Sequence, residues 1–376
     1  MKRTYPFLLI ALFVLAPLSA QDSTKPIVAA LQPFVDRHVL AGAVTLVADK
    51  DKILDVETVG YSDIAAKTLM GADSIFWIAS QSKPITAAAL MMLVDEGKVD
   101  LDDPVEKYLP EFKGQMLQVG KEMKSPSHPI TVREVLSHTS GLPFATKVEH
   151  PTLDGVSLKE AAASYAATPL KFEPGKDYAY SNAGINTAGR IIEVVSGMPY
   201  EEFMDKRLFG PLGMKDTTFW PNEAQLKRLA KGYRPTKDKM GLEETTVSQL
   251  QYPLNDRKRH PMPAGGLFST AEDVARFCQM ALNRGTFQGK RILSEKAVAE
   301  MTKRQTGADL KTSYGLGWSV GGGTFGHGGA WATNMSVDTK RGLITVFLVQ
   351  HNGFPGDGGQ AQGVFSKTAM QKFAGK

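Results

Sequence analysis

Two short runs rich in apolar and β-branched residues, Ala43 to Asp49 and Ile53 to Val59, open the regular part of the chain, and Asp49-Lys50-Asp51 falls between them. Runs of that length broken by Asp predict a β-hairpin. From Ala87 to Val94 the pattern becomes a continuous Ala, Leu and Met stretch, which predicts a helix headed by Ser80 and stopped at Gly97. Pro84 fits only within a first turn, so that helix has to begin close to Ser80. Other helix starts are marked by Thr131 with Glu134, Ser157 with Glu160 and Thr270 with Asp273, each a hydroxyl followed three residues on by an acid. Gly197 and Gly285 mark stops, and the polar stretch from Lys113 to Pro129 predicts a surface loop. After Tyr314 the pattern turns to strands, Tyr314 to Val320, Thr333 to Asp338 and Leu343 to Gln350, joined by Gly-rich or charged turns, with a last helix after Gly359.

Strands at both ends with helices between them predict the α+β class. The expected architecture is an antiparallel sheet built from both termini and flanked by helices, with an inserted, mostly helical lobe and a cleft between the lobes. The α/β lobe is expected over about 21–100 and 265–376, and the helical lobe over about 101–264. Residues 1–20 have Lys2 and Arg3, an apolar run from Phe7 to Ala16, and small residues at Ser19 and Ala20, which is the pattern of a signal peptide. The run is shorter than the roughly 20 residues of a membrane span, so cleavage after Ala20, export to the periplasm or medium, and no stable membrane span afterwards are expected. Leu18 is larger than the residue usual at its place before such a site.

The formal charge of +5 includes Lys2 and Arg3. What remains is a solubility-scale excess that does not imply nucleic-acid binding. The one cysteine, Cys278, shares a helical face with Val274, Phe277 and Ala281, which predicts a buried structural thiol. The seven histidines show no metal-ligand spacing, and the Gly-rich runs lack a P-loop ending, so neither metal nor cofactor is expected.

Chemistry enters with Ser80-Gln81-Ser82-Lys83. A serine hydroxyl needs a base beside it to act as a nucleophile, and a lysine three residues on lies about one helical turn away. Far along the chain stand Tyr180-Ser181-Asn182 and His327-Gly328-Gly329. The order S-x-x-K, Y-x-N and a polar residue followed by Gly resembles the serine β-lactamase and penicillin-binding protein superfamily, nearest to class C β-lactamases and the β-lactamase-like (family VIII) esterases. Leu136 to Leu142, Glu173-Pro174-Gly175, Pro211 to Met214 and Gly265 to Thr270 extend the resemblance from about residue 25 to the C-terminus.

The resemblance implies an acyl-enzyme on Ser80, with Lys83 and Tyr180 jointly the base and acid. A phenolate and an ammonium in contact would stabilise each other's charge. Asn182 would hold Lys83 or a polar group of the substrate. The backbone N–H groups of Ser80 and Ala330 would form the oxyanion hole, on a strand kept narrow by Gly328 and Gly329. Two departures bear on substrate. His327-Gly328-Gly329 replaces the Lys-Thr-Gly of penicillin-binding proteins, losing a fixed cation, and Ala145 stands where class C enzymes usually place Gln. Both favour an ester or other small-molecule acyl substrate. The alternatives are a class C-type β-lactamase or DD-peptidase and, from another class, a ligand sensor or scaffold without turnover. His138 reads as structural and Glu173 as a turn carboxylate. His327 either binds substrate, tunes Lys83 or Tyr180, or packs, and Trp331 is either an acyl-pocket wall or a sheet aromatic.

Overall fold

The computed structural model describes residues 26–374, so the leader expected at 1–20 lies outside the described residues. Helix α1 (Pro26–Asp36) leads into β1 (Gly42–Ala48) and β2 (Ile53–Asp63). Their turn is fixed by Asp49, whose Oδ1 accepts from the amides of Asp51 and Lys52 at 2.8 Å each. A short β3 (Thr68–Leu69) follows, then α2 (Ser82–Asp95), α3 (Val132–Ser137), α4 (Leu158–Ala166), α5 (Asn182–Ser196) and α6 (Ala271–Leu282). The chain ends with β4 (Ser319–Gly321), β5 (Thr324–Gly328), β6 (Asn334–Asp338), β7 (Leu343–Leu348) and α7 (Ala361–Phe373). The main sheet has seven antiparallel strands in the order β4-β5-β6-β7-β1-β2-β3.

β1 and β7 lie side by side at the centre, with Val44 opposite Leu348 and Val47 opposite Thr345. Both are apolar along their length because both faces of the sheet are covered there. Val44, Leu46, Ile344 and Val346 pack toward Val274 and Phe277 of α6, and Ala43, Val47, Leu343 and Phe347 pack toward α1 and Phe365 of α7. α2 is buried on every side from Ser82 to Leu93. An all-round apolar helix belongs in the middle of a large core, and α2 carries the S-x-x-K lysine into that core.

The structure corrects three expectations from the pattern. Lys113 to Pro129 contains a small hairpin, Leu117–Val119 with Glu122–Lys124, held because Leu117 is buried and Gly120 supplies a positive φ of 61°. Tyr314 to Val320 is strand only from Ser319, because Gly317 turns the chain at φ 74° and donates its N–H to Leu136 O over the start of α2. The Gly-rich segment before Ala330 contains a strand, β5, and only Gly322 and Gly323 make the turn. Thr131 and Ser157 head reciprocal capping boxes, whereas Thr270 accepts from Asp273 N with no return bond. Asp273 instead accepts from Asp216 N and the Thr217 hydroxyl.

One buried ion pair ties distant loops together. Arg259 Nε donates to Asp154 Oδ2 at 2.7 Å, its Nη1 reaches the carbonyls of Phe219 and Leu254, and Asp154 also accepts from Gln251 N. Removing one partner strands a charge, which costs about 3–5 kcal/mol. Arg259→Met should therefore lower the urea unfolding free energy by that order, and Arg259→Met with Asp154→Asn should recover part of it. Equal losses for the single and double variants would contradict this account.

Candidate active site

The tetrad sits on a strained turn. Ala79 has a left-handed φ of 46°, and Ala79–Gln81 form one 3-10 turn that runs directly into α2. A non-glycine residue in that region costs roughly 1–2 kcal/mol. Its neighbours hold it: Ile78 N donates to Leu267 O at 3.0 Å, and Ser82 Oγ donates to Ala79 O at 2.7 Å. The turn leaves Ser80 half-buried at the head of the helix.

Lys83 is fully buried, and its Nζ lies 3.1 Å from Ser80 Oγ, 2.8 Å from Asn182 Oδ1 and 2.7 Å from Ala264 O. All three partners are neutral. Burial drives the amine well below the ordinary lysine range, and no charged neighbour opposes the shift. A neutral amine has two N–H donors and one lone pair. Asn182 Oδ1 and Ala264 O can only accept, so in the neutral form they would take the two donors and leave the lone pair to the Ser80 hydroxyl.

α5 supplies this arrangement through two asparagines one turn apart. Ser181 caps the helix, accepting from Gly184 N at 3.0 Å and donating to Pro143 O at 2.6 Å, which sets Asn182 at its first position. Asn186 Oδ1 accepts from Ala264 N at 3.0 Å, so the carbonyl of the same residue is fixed toward Lys83. Asn186 in turn donates to Tyr165 Oη at 3.0 Å, and Tyr165 donates to the buried Glu149 at 2.6 Å. A carboxylate only accepts, so Glu149 takes the Tyr165 hydroxyl hydrogen and leaves Tyr165 Oη to accept from Asn186.

Tyr180 stands over the amine, its ring centroid 4.6 Å from Lys83 Nζ. Burial raises its phenol well above the ordinary value, partly offset by a hydrogen bond with Ser80. Burial thus pushes both groups toward their neutral forms, against the mutual stabilisation that a phenolate and an ammonium in contact would give. His138 brackets this tyrosine. Its carbonyl accepts from Ala179 N at 3.0 Å, its Nδ1 accepts from Ser181 N at 3.2 Å, and its ring lies 4.5 Å from that of Tyr180. The structural reading of His138 holds, with the addition that what it supports is Tyr180. Tyr178, half-buried with its hydroxyl pushed up to about 12, packs behind on His138.

β5 brings His327 to the opposite side. Its ring is 7 % exposed and lies 6.1 Å from that of Tyr180. Nδ1 is 2.6 Å from Gly328 O and Nε2 is 2.9 Å from Tyr314 Oη. Burial, with Lys83 nearby, lowers its pKa to about 3, so the ring is uncharged at neutral pH. Gly328 and Ala330 are exposed beside it. Neither the Ser80 nor the Ala330 amide finds a backbone acceptor among the described residues.

Ser80, Lys83, Tyr180 and Asn182 are thus brought together, with His327 beside Tyr180 and Gly328 to Ala330 following it. Trp331 is fully buried against Trp77 and is a packing residue. Glu173 accepts from Ser127 N at 2.9 Å and holds a loop. Cys278 is buried 3.7 Å from the Met335 sulfur. Sequence reasoning passed over Asn186, Ala264 and Tyr314. The four-residue spacing of Asn182 and Asn186 on one helix face was a usable signal for the first, and nothing local marked the other two.

The antiparallel sheet and the serine and lysine one turn apart at the head of a buried helix are those of a β-lactamase-fold serine hydrolase family. The chain belongs to the Beta-lactamase family, whose sequence profile matches residues 27–366. Protein Rv1367c of Mycobacterium tuberculosis is 33 % identical over 374 aligned residues, covering 86 % of this chain and 89 % of that one. Among solved structures, EstCE1, described as a hydrolase with promiscuous acyltransferase activity, superposes with a TM-score of 0.78 at 24 % identity, covering 92 % of this chain and 98 % of its own. Simvastatin synthase LovD from Aspergillus terreus gives a TM-score of 0.78 at 20 % identity, covering 95 % of this chain and 100 % of its own. At those identities the two structures establish the fold alone.

The two glycines after His327 differ in what they tolerate. A Cβ on Gly329 would lie 2.1 Å from Thr333 Oγ1 and 2.5 Å from Ile78 O, the carbonyl next to the strained turn. On Gly328 the nearest atom is Thr333 O at 3.6 Å. Gly329→Ala should therefore cost on the order of 1–3 kcal/mol in chemical denaturation, as overpacking does, while Gly328→Ala should be nearly neutral. Equal effects would refute this placement of the turn.

Proposed function

We propose that this protein is an exported serine hydrolase that forms an acyl-enzyme on Ser80 and acts on uncharged esters with small acyl groups. The observation that carries the ester preference is His327, which stands where penicillin-binding proteins have a lysine and is held neutral between Tyr314 and Gly328. A substrate carboxylate would meet no fixed cation there. In acylation, the Ser80 hydroxyl passes its proton to the Lys83 lone pair as Oγ bonds to the ester carbonyl carbon. The Ser80 and Ala330 N–H groups hold the oxyanion. Tyr180 hands a proton to the departing alkoxide and is reprotonated from Lys83, so the alcohol leaves neutral and the acyl group stays on Oγ. Water then repeats the sequence in reverse and releases the acid. Two lobes with the site in their cleft, and a leader removed after Ala20, belong to the same reading. Among the described residues, no helix is long and apolar enough to cross a membrane.

Intact-mass measurement on the protein recovered from the exporting host, before and after a short-chain nitrophenyl ester or a fluorophosphonate probe, tests these points together. The expected result is a chain beginning at Gln21 with one adduct on Ser80, no adduct on Ser80→Ala, and turnover of the nitrophenyl ester far above that of a chromogenic cephalosporin. The reverse ratio would make the protein a β-lactamase or DD-peptidase. An adduct that persists without turnover would make it a sensor.

The pH profile tests the base. Protonating Lys83 removes the lone pair, so kcat/KM falls as pH drops through its pKa. Because burial lowers that pKa, the acid limb should lie well below the ordinary lysine value of about 10.4. The limb should vanish together with activity in Lys83→Met. A limb close to pH 10 would show that Lys83 keeps the ordinary lysine pKa and would overturn the account of a base made neutral by burial.

A further inference from the structure

We propose that Tyr314 is a positioning residue for this reaction, acting through His327 on the turn at 328–330 that presents the Ala330 amide. His327 makes two hydrogen bonds, and their chemistry fixes the proton. The partner of Nδ1 is the Gly328 carbonyl at 2.6 Å, which can only accept, so Nδ1 carries the hydrogen. Nε2 is therefore bare in the neutral ring and accepts from the Tyr314 hydroxyl at 2.9 Å. If the tautomer were reversed, the Nδ1 lone pair would face a carbonyl oxygen and the turn would have to move.

Tyr314 is built to make that donation constantly. It is 1 % exposed, its carbonyl accepts from Gln305 N at 2.7 Å, and its ring packs 4.7 Å from that of His138. Burial, with Tyr180 and Tyr178 close by, holds its phenol protonated at every working pH. Through His138 the same ring touches the segment that carries Tyr180. Tyr314 thus joins the two walls of the site. It braces the tyrosine side by packing and the strand side by a directed hydrogen bond.

This inference rests on the hydrolytic reading, and its test separates the two. Long-range proton–nitrogen NMR on the full exported chain reads the His327 tautomer without turnover, with the signal assigned by its loss in His327→Gln. The wild type should show the Nδ1–H form at pH 7, and Tyr314→Phe, which keeps the ring, should show a mixture. Tyr314→Phe should lower kcat for the nitrophenyl ester by about 10- to 100-fold, the effect of leaving one buried acceptor unpaired, with KM nearly unchanged. Tyr314→Phe combined with His327→Gln should be little worse than His327→Gln alone, because both break one linkage. An Nε2–H or doubly protonated ring in the wild type would overturn the proposal, as would a wild-type kcat in Tyr314→Phe or losses that multiply. If Ser80 takes its adduct at the same rate in Tyr314→Phe as in the wild type, the hydrolytic reading survives and the role of Tyr314 does not.

Discussion

A lysine buried without a carboxylate is the constraint on which the rest of this structure turns. Taking an ammonium out of water without a counter-ion costs several kcal/mol, and proteins usually meet that cost by pairing the charge or giving it up. Here burial favours the second course. Three neutral atoms surround Lys83 Nζ, and two of them can only accept, which suits an amine with two hydrogens and a lone pair. Each of the three partners is in turn held from elsewhere. The cap at Ser181 sets Asn182, the chain from Glu149 through Tyr165 and Asn186 sets Ala264, and the strained Ala79 turn sets Ser80.

The fold makes that burial feasible by wrapping α2 with residues from the whole length of the chain. The loop at Gly317 lies on its first turn, close enough that a Cβ there would sit 2.8 Å from Lys83 O, and Gly184 of α5 lies against Val135 of α3. Small residues at these crossings let backbones approach within a distance that larger side chains would forbid. Strands from both ends of the chain meet at the sheet centre, which places β5 and α2 on the same side of the molecule in spite of more than two hundred residues between Ser80 and His327.

Much of this was legible in the sequence because it rests on short-range pattern. The hairpin of β1 and β2, the caps at Thr131 and Ser157 and the nucleophile helix follow from residue type and spacing alone. β5 was legible only through the resemblance, because its Gly, His and Gly residues give no apolar alternation. Its pairing is specified by β6, where Phe325 lies opposite Val337 and His327 opposite Met335. Long-range partners were hidden for a related reason. Tyr314 and His327 are thirteen residues apart across a turn, and Ala264 contributes only its backbone, which leaves no side-chain signature. How far burial shifts the Lys83 and Tyr180 pair was not legible, because contact between two groups can be guessed from a motif, whereas depth of burial is a property of the whole fold.

That depth also explains why so many ionisable side chains share one small site without charge. No carboxylate contributes to the shifts of Lys83, Tyr180, Tyr314 or His327, and burial is the leading cause for each. His138 and His327 are further lowered by Lys83, so a proton on the amine and a proton on either ring exclude one another. On the proposed reading this bears on turnover as well as on attack. Hydrolysis converts a neutral ester into an acid that ionises at neutral pH, and a carboxylate in a dry site with no fixed cation is poorly solvated. Uncharged His327 thus favours release of the product for the same reason that it disfavours a substrate that already carries a carboxylate.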